Sequence, residues 1–318
     1  MSYYETIKAI EEVKKYFEKE IEKKLNLTKV GSPLFVTPKS GLQDNLSGIE
    51  KAVYFEKDKQ KFEIVHSLAK WKREALARYD FPVYSGLYTN MKAIRKDEEV
   101  DATHSLYVEQ WDWEKIIKEE DRTVDYLKET VSNIYSSIRK TSMFITKKYP
   151  KLDLGLPKKV FFITSQELEN LYPEFSPKER EDLITKEKRA VFIIGIGDIL
   201  KSGFVHDHRS PDYDDWFLNG DLFIYSDILG KAVELSSMGI RVSKDSLYSQ
   251  LSKTNNLDRL ELDYHKKIIE DKLPFTIGGG IGESRVLMLL LGKEHIAEIQ
   301  ASAWEDKTYI ELEGKCIL

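Results

Sequence analysis

The stretch Phe275-Thr276-Ile277-Gly278-Gly279-Gly280-Ile281-Gly282-Glu283-Ser284-Arg285 has four glycines in five residues. A backbone without Cβ atoms can pass close to something flat or charged. The apolar helical pattern Val286 to Leu291 begins immediately afterwards, which places Arg285 near the first turn of a buried helix. A planar, always charged arginine there can stack on a purine or grip a phosphate. A P-loop would end in Gly-Lys-Ser/Thr, and a Rossmann fingerprint would have glycine at position 283; the residues here are Glu283-Ser284-Arg285. Taken alone, the segment suits a turn of small residues leading into a helix equally well.

Acids and further arginines gather elsewhere. His206 to Trp216 holds Asp207, Asp212, Asp214 and Asp215 with Arg209, two histidines and two aromatics. Its proline and aspartates mark a loop whose carboxylates suit an ammonium group or a metal; a solvated acidic loop is the plainer alternative. His206 and His208, two apart with no third ligand nearby, do not make a zinc site. Asp221 and Glu234 fall on the two arms of a predicted hairpin over 221–240, and two carboxylates across paired strands offer oxygen ligands for Mg²⁺. Ser236 and Arg241 follow on the second arm. The odd spacing from Glu234 to Arg241 puts Arg241 on the opposite face unless a bulge, expected at Gly239, restores the alternation. Arg95 ends the strand predicted over 86–94, and Gln110 and Asp112 share one face of the next strand. An arginine at a strand exit suits an α-phosphate, although charged surface hairpins are commoner. Two polar-dense stretches, Gln43 to Gly48 and His66 to Arg73, stand beside strands. Lys70 and Lys72 lie on different sides of a predicted helix, so at most one is expected to reach a common site and the other to be solvated.

The elements that must position these residues are readable in outline. A helical stripe runs through Ile7, Ile10, Val13, Phe17, Ile21 and Leu25. A strand is expected over 30–36, a hairpin over 52–65, and a helix capped by Ser67 through Arg78. Strands over 87–94 and 106–113 precede a long helical stretch over 116–149. Short apolar strands at 160–163 and 191–194 flank a polar helical segment. Helices over 244–252 and 257–271 lead to the glycine strip. Long amphipathic helices alternating with strand clusters on short turns favour an α+β fold with a mainly antiparallel sheet. Neither repeats nor a linker divide the 318 residues, which read as one domain, 1–318.

With 41% hydrophobic and 32% charged residues, the chain can bury a sizeable core. Its net charge of −5 gives no footprint for nucleic acid. Cys316 is the one cysteine, which excludes an internal disulfide framework and suits a reducing cytoplasm. Neither a signal peptide nor a membrane span is expected.

In order, these segments resemble the ammonia-dependent (type A) asparagine synthetases, which are aspartate–ammonia ligases forming AMP. The resemblance is nearly full-length. It is carried by Gln43-Asp44-Asn45-Leu46-Ser47-Gly48, His66 to Arg73, Gly86 to Thr89, His104 to Glu114 with its Gln110-Trp111-Asp112-Trp113 core, Ser165 to Leu168, Gly195 to Gly197, Arg209 to Trp216, Leu218 to Asp221, Glu234 to Arg241 and Thr276 to Arg285. That family is similar to the catalytic core of class II aminoacyl-tRNA synthetases without a tRNA-binding appendage.

The resemblance implies helices flanking a mostly antiparallel sheet, a homodimer, and ATP and Mg²⁺ as cofactors. It places Arg95 in the second class II motif and Gly278 to Arg285 in the third. It also implies two steps: the aspartate β-carboxylate attacks the ATP α-phosphorus, giving β-aspartyl-adenylate and pyrophosphate, and ammonia then displaces AMP. Catalytic roles fall on Asp44, Arg95, Asp214 and Arg285. Aspartate would be held by Ser67, Lys72, Gln110, Asp112, Arg209 and Arg241. The nucleotide would meet Arg95, Ser105, Asp221, Glu234, Ser236 and Arg285, with Asp221 and Glu234 as metal ligands. Asp44, then Asp214, is the candidate to take a proton from ammonium. The stretch from Trp216 to Leu218 is shorter than the family leads one to expect, as though a loop over the site were abbreviated. The single C-terminal cysteine excludes a class II glutaminase, so free ammonia is the expected nitrogen source. A tRNA synthetase would want an anticodon-reading domain and a basic surface, which makes tRNA an unexpected partner; a non-catalytic sensor would have lost Arg95, Asp221, Glu234 or Arg285, and all four are present.

Overall fold

The computed structural model describes residues 2–46 and 50–318. Ser47 and Gly48 of the Gln43–Gly48 stretch therefore lie outside the described residues. Strands β1 (Leu27–Lys29), β2 (Phe35–Val36), β3 (Tyr54–Lys57), β4 (Gln60–Ile64), β5 (Gly86–Ile94), β6 (Tyr107–Ile116), β7 (Phe161–Thr164), β8 (Ala190–Ile194), β9 (Asp214–Ser226), β10 (Lys231–Arg241) and β11 (Thr276–Gly282) form two sheets. The eight-stranded one runs β1-β5-β6-β11-β10-β9-β8-β7, and β2-β4-β3 form the small one. Only the outer pairs β1–β5 and β7–β8 of the large sheet are parallel. The α+β, mainly antiparallel expectation holds.

Helices α1 (Tyr3–Leu25), α2 (Ala69–Arg78), α3 (Val124–Lys148), α4 (Ser165–Leu171), α5 (Pro177–Lys188), α6 (Lys244–Lys253), α7 (Asp263–Ile269), α8 (Glu283–Leu290) and α9 (Asp306–Glu311) complete the described elements. The predicted stripe of α1 is buried from Ile10 to Leu25. It packs with α3 and α8 on one face of the large sheet, where Trp111, Trp113, Met238 and Ile240 join the core. The other face, carrying Leu87, Met91 and Ala93, is covered by α2, α6 and α7. Strict alternation does this work: on β6, Trp111 and Trp113 enter the first core, so Gln110, Asp112 and Glu114 face the second side.

Several boundaries differ from expectation, each for a local reason. Of the strand expected over 30–36 only β2 (Phe35–Val36) forms, and β1 lies just before it at Leu27–Lys29. Helix α2 starts at Ala69 with Leu68 at its cap, while the Ser67 hydroxyl accepts from the Ala69 N–H at 3.4 Å and donates to Asp44. The long helical stretch begins only at Val124, because β6 continues to Ile116 opposite β11. The helix over 257–271 is a 3₁₀ turn, Leu257–Glu261, broken at Leu262 before α7. The hairpin turn of β3–β4 is Asp58-Lys59, both with positive φ (51° and 65°), as a two-residue turn matched to strand twist requires. Among the described residues, no helix is long and apolar enough to cross a membrane.

Candidate active site

The glycine strip is neither a turn nor a loop. It is β11, a central strand hydrogen-bonded to β6 and β10, and its glycines make room for polar side chains. A Cβ on Gly278 would stand 1.9 Å from Glu114 Oε2, and one on Gly280 would stand 2.4 Å from Gln110 Oε1. Helix α8 starts at Glu283, so Arg285 sits in its first turn as expected.

Over this strip, on the α2 side of the sheet, opens a cleft of about 290 Å³. Its walls carry Asp44, Ser67, Lys72, Arg95, Ser105, Gln110, Asp112, Arg209, Asp214, Glu234, Ser236, Arg241 and Arg285. Every expected site residue except Asp221 is thus brought to one cavity.

At the inner end the charges are paired. Lys72 Nζ donates to Asp112 Oδ1 (2.5 Å) and to the Gly279 carbonyl (2.9 Å). Burial pulls its ammonium below the ordinary value, opposed by Asp112 and reinforced by Arg241. Arg241, 1% exposed, donates from Nε and Nη2 to Glu114 and from Nη1 to Asp214. Burial raises the Asp214 carboxyl while Arg241 and Arg209 pull it down. Arg209 donates to Ser237 Oγ and Asp221 Oδ1, both at 2.6 Å, and its Nε has no partner. Asp44 differs: among the described residues, its carboxylate oxygens accept only from the Ser67 hydroxyl (2.7 Å) and the Leu46 N–H (2.9 Å), both uncharged.

Toward the outer end, Arg95 follows the last residue of β5. Among the described residues its side chain makes one hydrogen bond, Nε to the His66 carbonyl at 3.3 Å, and approaches Glu98 no closer than 3.8 Å. Its side chain is 23% exposed, so most of its donors face the cleft or solvent. Arg285 is held by the carbonyls of Thr103 and Glu234, both at 3.1 Å, and lies 3.6 Å from the Glu234 carboxylate. Ser236 Oγ donates to the Gly280 carbonyl, and Ser105 Oγ lies 2.6 Å from Gln300 Oε1.

The second arm of the β9–β10 hairpin changes face as its odd spacing requires. Val233 and Leu235 enter the far core, and then Met238 and Ile240 do. The switch coincides with a register shift between Glu234 and Ser236, one bulge earlier than expected; a second shift falls at Gly239–Arg241, where Asp214 pairs with Arg241. Asp221 and Glu234 do not face each other directly. Asp221 pairs with Ser237 and Glu234 with Phe223, and Asp221 lies under Arg209 rather than on the cavity wall. Burial pushes the Asp221 carboxyl up to about 7, with Glu234 and Asp207 adding to it against the pull of Arg209. A buried carboxyl raised beside a second acid is a donor set that a divalent cation would relieve, so the pair fits Mg²⁺. Among the described residues no group of three or more His, Cys, Asp or Glu is arranged to hold a metal unaided. Phosphate oxygens and water would have to complete the shell.

Two further expectations are corrected. The acidic stretch is a loop only as far as Tyr213, since Asp214, Asp215 and Trp216 begin β9. At 216–218 the chain runs on as strand. Neither lysine of α2 is solvated: Lys70, 2% exposed, is as buried as Lys72. Helix α2 is enclosed on both flanks, and Lys70 ends on Asp212 at 2.9 Å. Asp212 also accepts from His265 (2.9 Å), Arg259 (3.2 Å) and Ser210 (2.8 Å). Burial alone would raise its carboxyl, but Lys70, His265 and Arg259 hold it well below the usual range. A depressed carboxyl stabilises the fold above the unfolded value, about pH 3.9, and that stability is lost as pH falls through the lower folded value. Replacing Asp212 by Asn should therefore destabilise by roughly 3–5 kcal/mol at pH 7. In denaturant titrations the gap to wild type should narrow below about pH 4; a pH-independent gap would contradict this.

Sequence reasoning assigned no role to Glu114 or Tyr213, both at the inner end. Glu114 was available from the period of two that selects Gln110 and Asp112. Tyr213 carried no signal beyond its acidic neighbours.

Comparison with known proteins agrees with this geometry. Residues 4–315 match the family described as aspartate-ammonia ligase. The chain is 54% identical over 319 aligned residues to the aspartate–ammonia ligase of Clostridium tetani, covering 99% of this chain and 94% of that protein. Against the same enzyme of Bacillus cereus it is 56% identical over 308 residues (96% and 94%). In fold it is similar to the asparaginyl-tRNA synthetase of Entamoeba histolytica in complex with asparaginyl-adenylate, with a TM-score of 0.69 at 14% identity. The corresponding Pyrococcus horikoshii complex gives 0.68 at 15%. The likeness covers 94% of this chain but 66% of the Entamoeba synthetase, so the chain spans about two thirds of that protein's length.

Proposed function

The chain belongs to the aspartate–ammonia ligase family, and from that premise we propose that it makes L-asparagine from L-aspartate, ammonia and ATP through a β-aspartyl-adenylate, releasing AMP and pyrophosphate. The single observation that carries this reading is the division of one cleft between an inner end of paired acids and bases and an outer end where Arg95 and Arg285 keep donors unspent.

The first step joins a carboxylate to a phosphate, so cations must stand where negative charge accumulates. Arg95 would meet the α-phosphate and the attacking carboxylate. Arg285, fixed by two carbonyls, offers its guanidinium face to the adenine or its remaining donor to the triphosphate, with Ser105 and Ser236 alongside. Asp221 and Glu234 would hold Mg²⁺, whose chemistry is to neutralise phosphate charge. Aspartate suits the inner end: Asp112 and Gln110 for its α-ammonium, Lys72 and Arg209 for its carboxylates, Ser67 nearby. Arg241 contributes by keeping Asp214 in place.

In the second step ammonium loses a proton as its nitrogen forms the bond to the β-acyl carbon. The acyl–oxygen bond breaks, its electron pair leaving with AMP, and a second proton departs to solvent. Asp44 is the better proton acceptor, because Asp214 is already bonded to Arg241. In this reading the 318 residues are one ligase domain acting as a homodimer in the cytoplasm, with no tRNA partner. Incubation with aspartate, ammonium chloride, ATP and Mg²⁺ should yield asparagine and AMP in equal amounts; ADP in place of AMP would sink the proposal. Asp44→Asn should slow asparagine formation about 10²–10⁴-fold, the usual range for a lost general base, while adenylate still forms. Full asparagine synthesis by this variant would remove Asp44 from the role.

A further inference from the structure

Among the four acids at the inner end, Asp112, Glu114 and Asp214 each bond a lysine or arginine, whereas Asp44 receives only neutral donors from the described residues. Asp44 is 2% exposed and on the cleft wall. A buried carboxylate without a cation is the feature that selects a small cation from water. One carboxylate does not orient a tetrahedral ammonium, however. A second acceptor is needed that is uncharged, so that it binds without competing for the proton.

Tyr213 meets this description. Tyr213 lines the same cleft, and its backbone carbonyl accepts from the Val242 N–H at 2.9 Å. The Arg241 guanidinium lies 5.7 Å from its ring centroid. The residues on either side, Asp212 and Asp214, are fixed by Lys70 and Arg241, and Gln250 holds the Asp214 carbonyl at 2.9 Å. Burial, with Asp44 close by, keeps the phenol un-ionised, so its oxygen is available as a neutral acceptor.

We propose that Tyr213 is a further catalytic residue that completes an ammonium subsite with Asp44: its hydroxyl oxygen accepts one N–H of the incoming ammonium while the Asp44 carboxylate accepts another. The ammonium is then oriented by two acceptors, one of which takes the proton as the C–N bond forms. The proposal rests on the adenylate reading above, and its test separates the two.

Tyr213→Phe keeps the ring under Arg241 and removes one oxygen. The KM for ammonium in asparagine synthesis should rise at least about tenfold, as for a lost hydrogen bond to a charged group. The KM for aspartate in ATP–pyrophosphate exchange should stay within threefold. AMP should also be released in excess of asparagine, as water intercepts the waiting adenylate. An unchanged ammonium KM would overturn the proposal, as would a parallel loss of exchange and synthesis. If the wild type itself shows no exchange, it is the adenylate reading that fails.

Discussion

Replacing Arg95 by alanine is expected to lower aspartate-dependent ATP–pyrophosphate exchange roughly 10³-fold, with little change in thermal stability. The size follows from the charge an arginine supplies to a transferring phosphoryl group, worth about 10³–10⁵ in rate in comparable sites. The small stability change follows from its side-chain contacts among the described residues: one hydrogen bond to a backbone carbonyl at 3.3 Å and no ion pair closer than 3.8 Å. Arg95→Lys should recover only part of the loss, because an ammonium cannot meet two oxygens in a fork. A variant that keeps wild-type exchange would move the α-phosphate contact elsewhere.

The second large effect is of the opposite kind. Arg241→Met should destabilise the protein by roughly 3–5 kcal/mol, the range for breaking a buried ion pair from one side. Glu114 is 0% and Asp214 1% exposed, and both would be left charged without their guanidinium. Thr276 Oγ1 would still donate to Glu114 at 2.7 Å, which offsets only a fraction of the loss. Denaturant unfolding measures the change directly. A loss below 1 kcal/mol would show that water or a rearranged side chain replaces Arg241.

The contrast between these arginines marks what the sequence could reveal. Arg95 was visible because a charged residue closing an apolar strand has nowhere to go but the strand's end. Gln110 and Asp112 were visible through alternation with Trp111 and Trp113. The odd spacing of Glu234 and Arg241 demanded a bulge, and the register shifts twice, at Glu234–Ser236, where the strand changes face, and at the expected Gly239–Arg241. What stayed hidden depends on residues far apart in the chain. Helical geometry puts Lys70 and Lys72 on different sides of α2, but only the packing of α7 and the Arg259 segment shows that both sides are interior. Asp212 gathers Lys70, Arg259 and His265 across 142, 47 and 53 positions, a convergence that local patterns do not encode. The glycine strip was ambiguous for the same reason: its close approach is to Glu114 and Gln110 of β6, and pairing partners are a tertiary fact.

The central claim is that one cleft activates aspartate by adenylation before ammonia arrives. Exchange of labelled pyrophosphate into ATP, measured with Mg²⁺ and without ammonium, tests it most directly. The account predicts exchange that requires L-aspartate and saturates with it. Exchange that is absent, or that proceeds equally without aspartate, would contradict it.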